Sequence, residues 1–291
     1  MIVVGHSRIA KKIAKNLNLH FLEVERSAFP DGEIDVRFPE GIEGKDVLLI
    51  QTIHGNPNDY LIELFFMAYT AKDLGAKSVK AVVPYLVYSR QDTRFRSGEA
   101  ISSNIVSELL EGCIDEVFTI DPHLHRNGLK EVFKNIPAHE LTTIPVIAEY
   151  IKSRWPNPVI VCPDKGAVRM GGKIAEQLGC QVVYLEKTRI DAENVEIHMS
   201  EEIDVSDKQV VIVDDIISTG GTMAEVVKLI KEKNAPNIYC ISIHGLLIGN
   251  CLDKLLAAGA DEVITTNTIR RGTSKIDISG VITEGLRKMI K

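Results

Sequence analysis

Short apolar runs of three to seven residues alternate with stretches of helical periodicity along almost the whole chain, and few architectures accommodate that rhythm. The apolar runs fall at 2–4, 47–52, 79–85, 116–120, 158–163, 181–186, 210–213, 238–243 and 262–266. Between them lie amphipathic segments such as Ser7 to Leu17, where Ile9, Ile13 and Leu17 share one face and Ser7 stands where an N-cap belongs. Strand–helix alternation predicts an α/β fold with largely parallel sheets flanked by helices. One stretch, FLEVERSAFPDGEIDVRF from Phe21 to Phe38, breaks the rhythm: two alternating runs surround Pro30-Asp31-Gly32, as in a hairpin.

A chain of 291 residues is long for a single hydrophobic core, so two domains are expected. The halves also echo each other, LLEGCIDEVFTID at 109–121 against LLAAGADEVITTN at 255–267. This places two similar domains at 1–142 and 143–291, the second opening with TIPVIAEYIKSRW. No segment has the apolar length of a membrane helix, and the N-terminus lacks a secretory cleavage pattern. Five cysteines at 113, 162, 180, 240 and 251 form no CxxC pair and read as small apolar residues in a reducing compartment. The expectation is a cytoplasmic protein without membrane contact. A net charge of −6 supplies no general field for nucleic acid, so any local cluster of cations or amides gains meaning.

The stretch VVIVDDIISTGGTMAEVVKLI at 210–230 carries the most chemistry. An apolar strand at 210–213 leads into a loop, then into a helix with Met223, Val226, Val227 and Ile230 at helical spacing. It has no lysine after Gly221, as a Walker A loop needs, and no GxGxxG. What remains is Asp214 and Asp215, then Ser218, Thr219, Gly220, Gly221 and Thr222 at a helix N-terminus. Glycines let amides turn toward an anion, and the helix dipole adds to them. Carboxylates repel phosphate but accept hydrogen bonds from vicinal hydroxyls. A phosphate at one end and a diol at the other describes a ribose 5-phosphate. A plain helix cap beside two solvated acids is the bland alternative.

Other clusters accompany it. Arg90, Arg94 and Arg96 crowd YSRQDTRFRSGE at 88–99, before a helix expected to begin near Glu99, and guanidinium forks suit a polyphosphate. FPDGE at 29–33 is a turn with an aromatic and two acids, and IDPHLH at 120–125 ends a strand. VCPDKGAVR at 161–169 repeats strand, loop and helix, and Lys187 and Arg189 sit two apart in VVYLEKTRI. Taken singly, each of these also reads as a solvated loop or strand end.

In order, FPDGE, YSRQD, DPH, PDKG, LEKTR and VDDIISTGGT resemble the ribose-phosphate pyrophosphokinase family from near residue 5 to near 285. The resemblance implies two type I phosphoribosyltransferase-like domains. It implies transfer of the β,γ-diphosphoryl group of ATP to the anomeric hydroxyl of D-ribose 5-phosphate, with release of AMP. By that likeness Phe29, Asp31, Gly32 and Glu33, with Arg90 and Gln91, would bind ATP. His123 and Asp164 would be linked to Mg2+, and Lys187 and Arg189 would be the catalytic pair on a mobile loop. Arg189, Asp214, Asp215 and Ser218 to Thr222 would hold ribose 5-phosphate. A dimer-based homo-oligomer is implied, with the hairpin reaching a neighbouring subunit. Ser218 departs from the pattern, since many members carry an acid there. A non-catalytic regulatory homologue and a phosphoribosyltransferase are the competing readings; the intact motifs oppose the first, the whole extra N-terminal domain the second.

Overall fold

The computed structural model describes residues 1–52, 56–124, 128–189, 195–199 and 203–289, with the side chains of 186–199 outside the description. Two compact units result, Met1–Thr142 with Ser279–Lys291, and Thr143–Ile278.

The first unit begins with β1 (Ile2–Gly5), α1 (Arg8–Leu17) and β2 (His20–Glu23). The hairpin strands β3 (Glu25–Ala28) and β4 (Ile34–Arg37) follow, then β5 (Asp46–Ile50), α2 (Pro57–Asp73) and β6 (Ser78–Val83). It continues with α3 (Ser102–Glu111), β7 (Glu116–Ile120), α4 (Leu129–Val132) and β8 (Ala138–Leu141). A six-stranded parallel sheet runs β2-β1-β5-β6-β7-β8, while β3 and β4 pair antiparallel in a sheet of their own. Ser7 caps α1 as the sequence predicts, its hydroxyl accepting from the Ala10 amide at 3.2 Å. The helix expected near Glu99, α3, begins at Ser102, three residues later. Part of the Phe21–Phe38 excursion also differs: Phe21 to Glu23 joins the main sheet beside β1, and the hairpin proper starts at Glu25. Leu22, fully buried, draws that segment into the core.

The second unit comprises α5 (Ile144–Lys152), β9 (Val159–Cys162), α6 (Val168–Leu178), β10 (Val182–Arg189), β11 (Val195–Met199) and β12 (Gln209–Ile217). After these come α7 (Gly221–Glu232), β13 (Asn237–Gly245), α8 (Cys251–Ala257), β14 (Glu262–Thr266) and β15 (Ser274–Ile276). Its sheet runs β11-β10-β9-β12-β13-β14-β15, parallel except at β11. Apart from the excursions, both units have one winding. Their second strand lies outside the first, and the third to sixth follow on the other side. Each inserts its antiparallel excursion between the second and third strands. The central strands are buried over their whole apolar lengths, Val210 to Val213 among them, as sheets covered on both faces require.

The last helix, α9 (Ser279–Met289), falls in the first unit, whereas the sequence-based domain 143–291 includes it in the second. It packs on α1 and β8 of the first unit, burying Ile282 and Leu286. Arg287 donates to the Asn16 carbonyl at 2.5 Å. A Cβ on Gly285 would stand 2.4 Å from Leu141 Cδ2, so a residue without a side chain is what allows this approach. Periodicity reveals that α9 has an apolar face but not which core the face covers. No helix among the described residues is long and apolar enough to cross a membrane.

Candidate active site

In open α/β sheets, ligands lodge beyond the carboxyl ends of strands where the winding reverses. In the second unit that point lies between β9 and β12, which are neighbours. Asp164 follows β9, and the acids and glycine turn belong to the end of β12.

β12 is longer than the apolar run predicts. It continues through Asp214 and Asp215 to Ile217 because β13, equally extended, pairs with it to Gly245. The acids are therefore held in ladder geometry rather than in a loose loop. Asp214 Oδ1 accepts from the Asp215 amide at 2.9 Å. Burial, and then the Asp215 and Asp164 carboxylates, hold the Asp214 carboxyl well above the usual range. Asp164 spends one oxygen on the turn that leads into α6, accepting from the amides of Gly166 at 2.8 Å and Ala167 at 3.3 Å. Three half-buried acids thus crowd one site, and hydroxyl donors or a cation would relieve their repulsion.

Just beyond, Gly220 takes a left-handed conformation, φ +74 and ψ 7, and α7 begins at Gly221. The turn is fixed from its carbonyl side. Ser218 O accepts from the Ile248 amide at 2.9 Å, Thr219 O from Lys254 Nζ at 3.0 Å, and Gly220 O from the Ala224 amide at 2.9 Å. Gly220, at the N-cap of α7, brings no side-chain cap, and a helix N-terminus favours an anion. Lys254 escaped the sequence analysis, since a single lysine on α8 belongs to no motif. A Cβ on Gly220 would lie 2.7 Å from Cys251 Sγ, in a backbone conformation that already disfavours side chains. Gly220→Ala is expected to destabilise the protein by about 2 kcal/mol and to weaken ribose 5-phosphate binding about tenfold or more. Chemical denaturation and calorimetric titration check the two effects, and unchanged affinity would show that the turn does not hold the sugar phosphate.

Lys187 and Arg189 lie in β10, their backbones paired with Ile197 and Val195 of β11. Both were expected on a mobile loop; the structure gives them strand backbone, and their side chains lie outside the described residues.

In the first unit, the loop after β6 is organised by Glu99. Its Oε2 accepts from Gln91 Nε2 at 3.2 Å and from the amides of Phe95 at 3.1 Å and Arg96 at 3.0 Å. Arg94 Nε donates to the Glu99 carbonyl at 2.8 Å, and Arg90 is exposed. Glu99 draws the cation-rich loop together, a role its place in the sequence leaves unmarked. The hairpin turn is closed by the Phe29 amide on Glu33 O at 2.8 Å and the Glu33 amide on Asp31 Oδ1 at 3.1 Å. Gly32 supplies φ +96, and Phe29 is 55% exposed at the tip. His123, in the segment after β7, belongs to the first unit and Asp164 to the second. Among the described residues no group of three or more His, Cys, Asp and Glu forms a ready metal cage.

Residues 1–113 match the family model described as the N-terminal domain of ribose phosphate pyrophosphokinase, and residues 131–284 match the phosphoribosyl transferase domain. The chain is 40% identical to a ribose-phosphate pyrophosphokinase of Methanothermobacter thermautotrophicus, over 98% of this chain and 100% of the relative. It is 35% identical to one of Sulfolobus acidocaldarius, over 99% and 100%. The crystal structure of phosphoribosylpyrophosphate synthetase from Mycobacterium smegmatis superposes with a TM-score of 0.86 at 30% identity, covering 99% of this chain and 98% of that one.

Proposed function

Given that the chain belongs to the ribose-phosphate pyrophosphokinase family, we propose that it transfers the β,γ-diphosphoryl group of ATP to the anomeric hydroxyl of D-ribose 5-phosphate. The products are 5-phospho-α-D-ribose 1-diphosphate and AMP, for nucleotide biosynthesis. The observation that carries the reading is the end of β12, where crowded acids precede an uncapped helix N-terminus by a few residues. Asp214 and Asp215 accept from the ribose hydroxyls, and Ser218 to Thr222 receive the 5-phosphate. Phe29, Asp31, Gly32 and Glu33 of the hairpin, with Arg90 and Gln91, bind ATP.

Little covalent work falls to the protein in phosphoryl transfer. It aligns the attacking hydroxyl with the β-phosphorus and the departing AMP oxygen, and it neutralises developing charge. Lys187 and Arg189 supply that neutralisation. The Asp164 carboxylate suits magnesium, a hard cation that binds one or two carboxylates and keeps water and substrate phosphates as its other ligands. In the second unit Asp164 would hold a magnesium through oxygen; in the first, His123, a nitrogen donor, would meet a magnesium through water. When bound, magnesium shields the phosphate charges.

A homo-oligomer is supported by α2 and α3. Ile62, Phe66 and Tyr69 on one, and Ile105 and Leu109 on the other, are large apolar side chains left exposed. A cytoplasmic site of action accords with cysteines that are all free.

Product analysis tests the reaction directly. ATP, magnesium and ribose 5-phosphate should yield AMP in equal amount with the new diphosphate ester. Accumulation of ADP would mean a single phosphoryl group had moved and would refute the proposal.

A further inference from the structure

The hairpin that carries Phe29, Asp31, Gly32 and Glu33 forms a sheet of its own, and every residue of β3 is exposed. Something other than the main sheet must set its direction. The β4 strand leans on α2. Beside that contact is a charged group that no sequence motif announces: Glu63, on the buried face of α2, with a side chain only 4% exposed.

Each Glu63 oxygen meets a different partner. Oε2 accepts from Arg26 Nε of β3 at 2.6 Å, and Oε1 lies 3.0 Å from His6 Nδ1, just past β1. Burial alone would raise the Glu63 pKa, yet His6, Gln51 and Arg26 together hold it below the ordinary value. The carboxylate is thus charged at neutral pH and directed at the hairpin. One buried acid joins the end of β1, the core helix α2 and the first hairpin strand.

Resting on the function proposed above, we propose that Glu63 and Arg26 are positioning residues for ATP, fixing the angle at which the hairpin presents its nucleotide-binding tip. Phe29 to Glu33 lie three to seven residues beyond Arg26 in the sequence. At about 3.3 Å per extended residue, the tip stands on the order of 10–15 Å from its anchor. A pivot of roughly 10° at Arg26 then moves the tip by about 2 Å, enough to spoil a bound geometry. Arg26 is 41% exposed, so replacing it leaves the core packing of α2 in place. Neither residue needs to touch ATP.

The test compares Arg26→Met, Arg26→Lys and Glu63→Gln by steady-state kinetics and by calorimetric titration with ATP. Arg26→Met is expected to raise the KM for ATP about tenfold. The KM for ribose 5-phosphate and kcat at saturating ATP should stay within about twofold of wild type. Arg26→Lys, which keeps a cation, should recover most of the loss. Glu63→Gln combined with Arg26→Met should be no worse for ATP than Arg26→Met alone, since both break one tether. A KM for ATP within twofold of wild type in Arg26→Met would overturn the inference, and so would an equal rise in both KM values. A wild type that binds ATP but releases no AMP would sink the reaction instead. The ATP titration of Arg26→Met would then still decide the anchor.

Discussion

Asp214→Asn is expected to remove ribose 5-phosphate binding and, at the same time, to make the ligand-free protein harder to unfold. The two effects have one cause. Asp214 is half-buried, and desolvation followed by the Asp215 and Asp164 carboxylates holds its folded pKa well above the value it has when unfolded. An acid with a raised folded pKa binds its proton more tightly in the native state. Its contribution to stability is complete below the unfolded value, near pH 4, and is lost as pH rises through the folded value. Asparagine keeps the shape and carries no charge, so the penalty at neutral and alkaline pH disappears. Thermal melts at pH 8 should show the variant more stable, by about 2–4 °C for each kcal/mol recovered, with the difference shrinking toward pH 4. Binding should move the other way. Hydrogen bonds from hydroxyls to a charged acceptor contribute about 1.5–3 kcal/mol each, so losing the charge opposite a diol should weaken ribose 5-phosphate by roughly 100-fold. A variant that is no more stable at pH 8, or that binds the sugar phosphate normally, would remove Asp214 from the site.

Lys187→Ala should cut turnover by roughly 100-fold or more, several kcal/mol of transition-state stabilisation. The reasoning rests on the charge of the reaction. Phosphoryl oxygens share developing negative charge as the transfer proceeds, and a cation that meets them at that moment acts on kcat more than on substrate affinity. Rapid-quench measurement of AMP release in a single turnover separates that step from product release. ATP and ribose 5-phosphate affinities should change by only a few-fold. Near-normal release of AMP would take Lys187 out of the chemistry and leave Arg189 to account for it.

Much of the layout could be read from residue patterns, because buried parallel strands advertise themselves. Val210 to Val213 and Glu116 to Ile120 read as strands from composition alone, and both are. The cap at Ser7 followed from a hydroxyl before an apolar periodicity. Elements that depend on a partner were not legible. β8 and β15 are short, Ala138 to Leu141 is half polar, and each is a strand only because a neighbour supplies its ladder. Likewise β12 extends through two acids that no apolar rule would include, because β13 runs beside it.

The candidate site divides in the same way. Local chemistry named the turn at Ser218 to Thr222, since glycines, hydroxyls and a following helix are contiguous in the chain and their joint use needs no long-range contact. The sequence by itself therefore determined the strand–helix alphabet, the phosphate turn and the carboxylates before it. Only the tertiary structure decided that Asp164 shares a field with Asp214, that Lys254 holds the Thr219 carbonyl, and that Glu63 faces Arg26 across 37 residues. It likewise decided that α9 belongs to the first unit. The physical reason is that periodicity reports whether a residue is buried, whereas charge coupling and packing depend on which surfaces the winding of the sheet brings face to face.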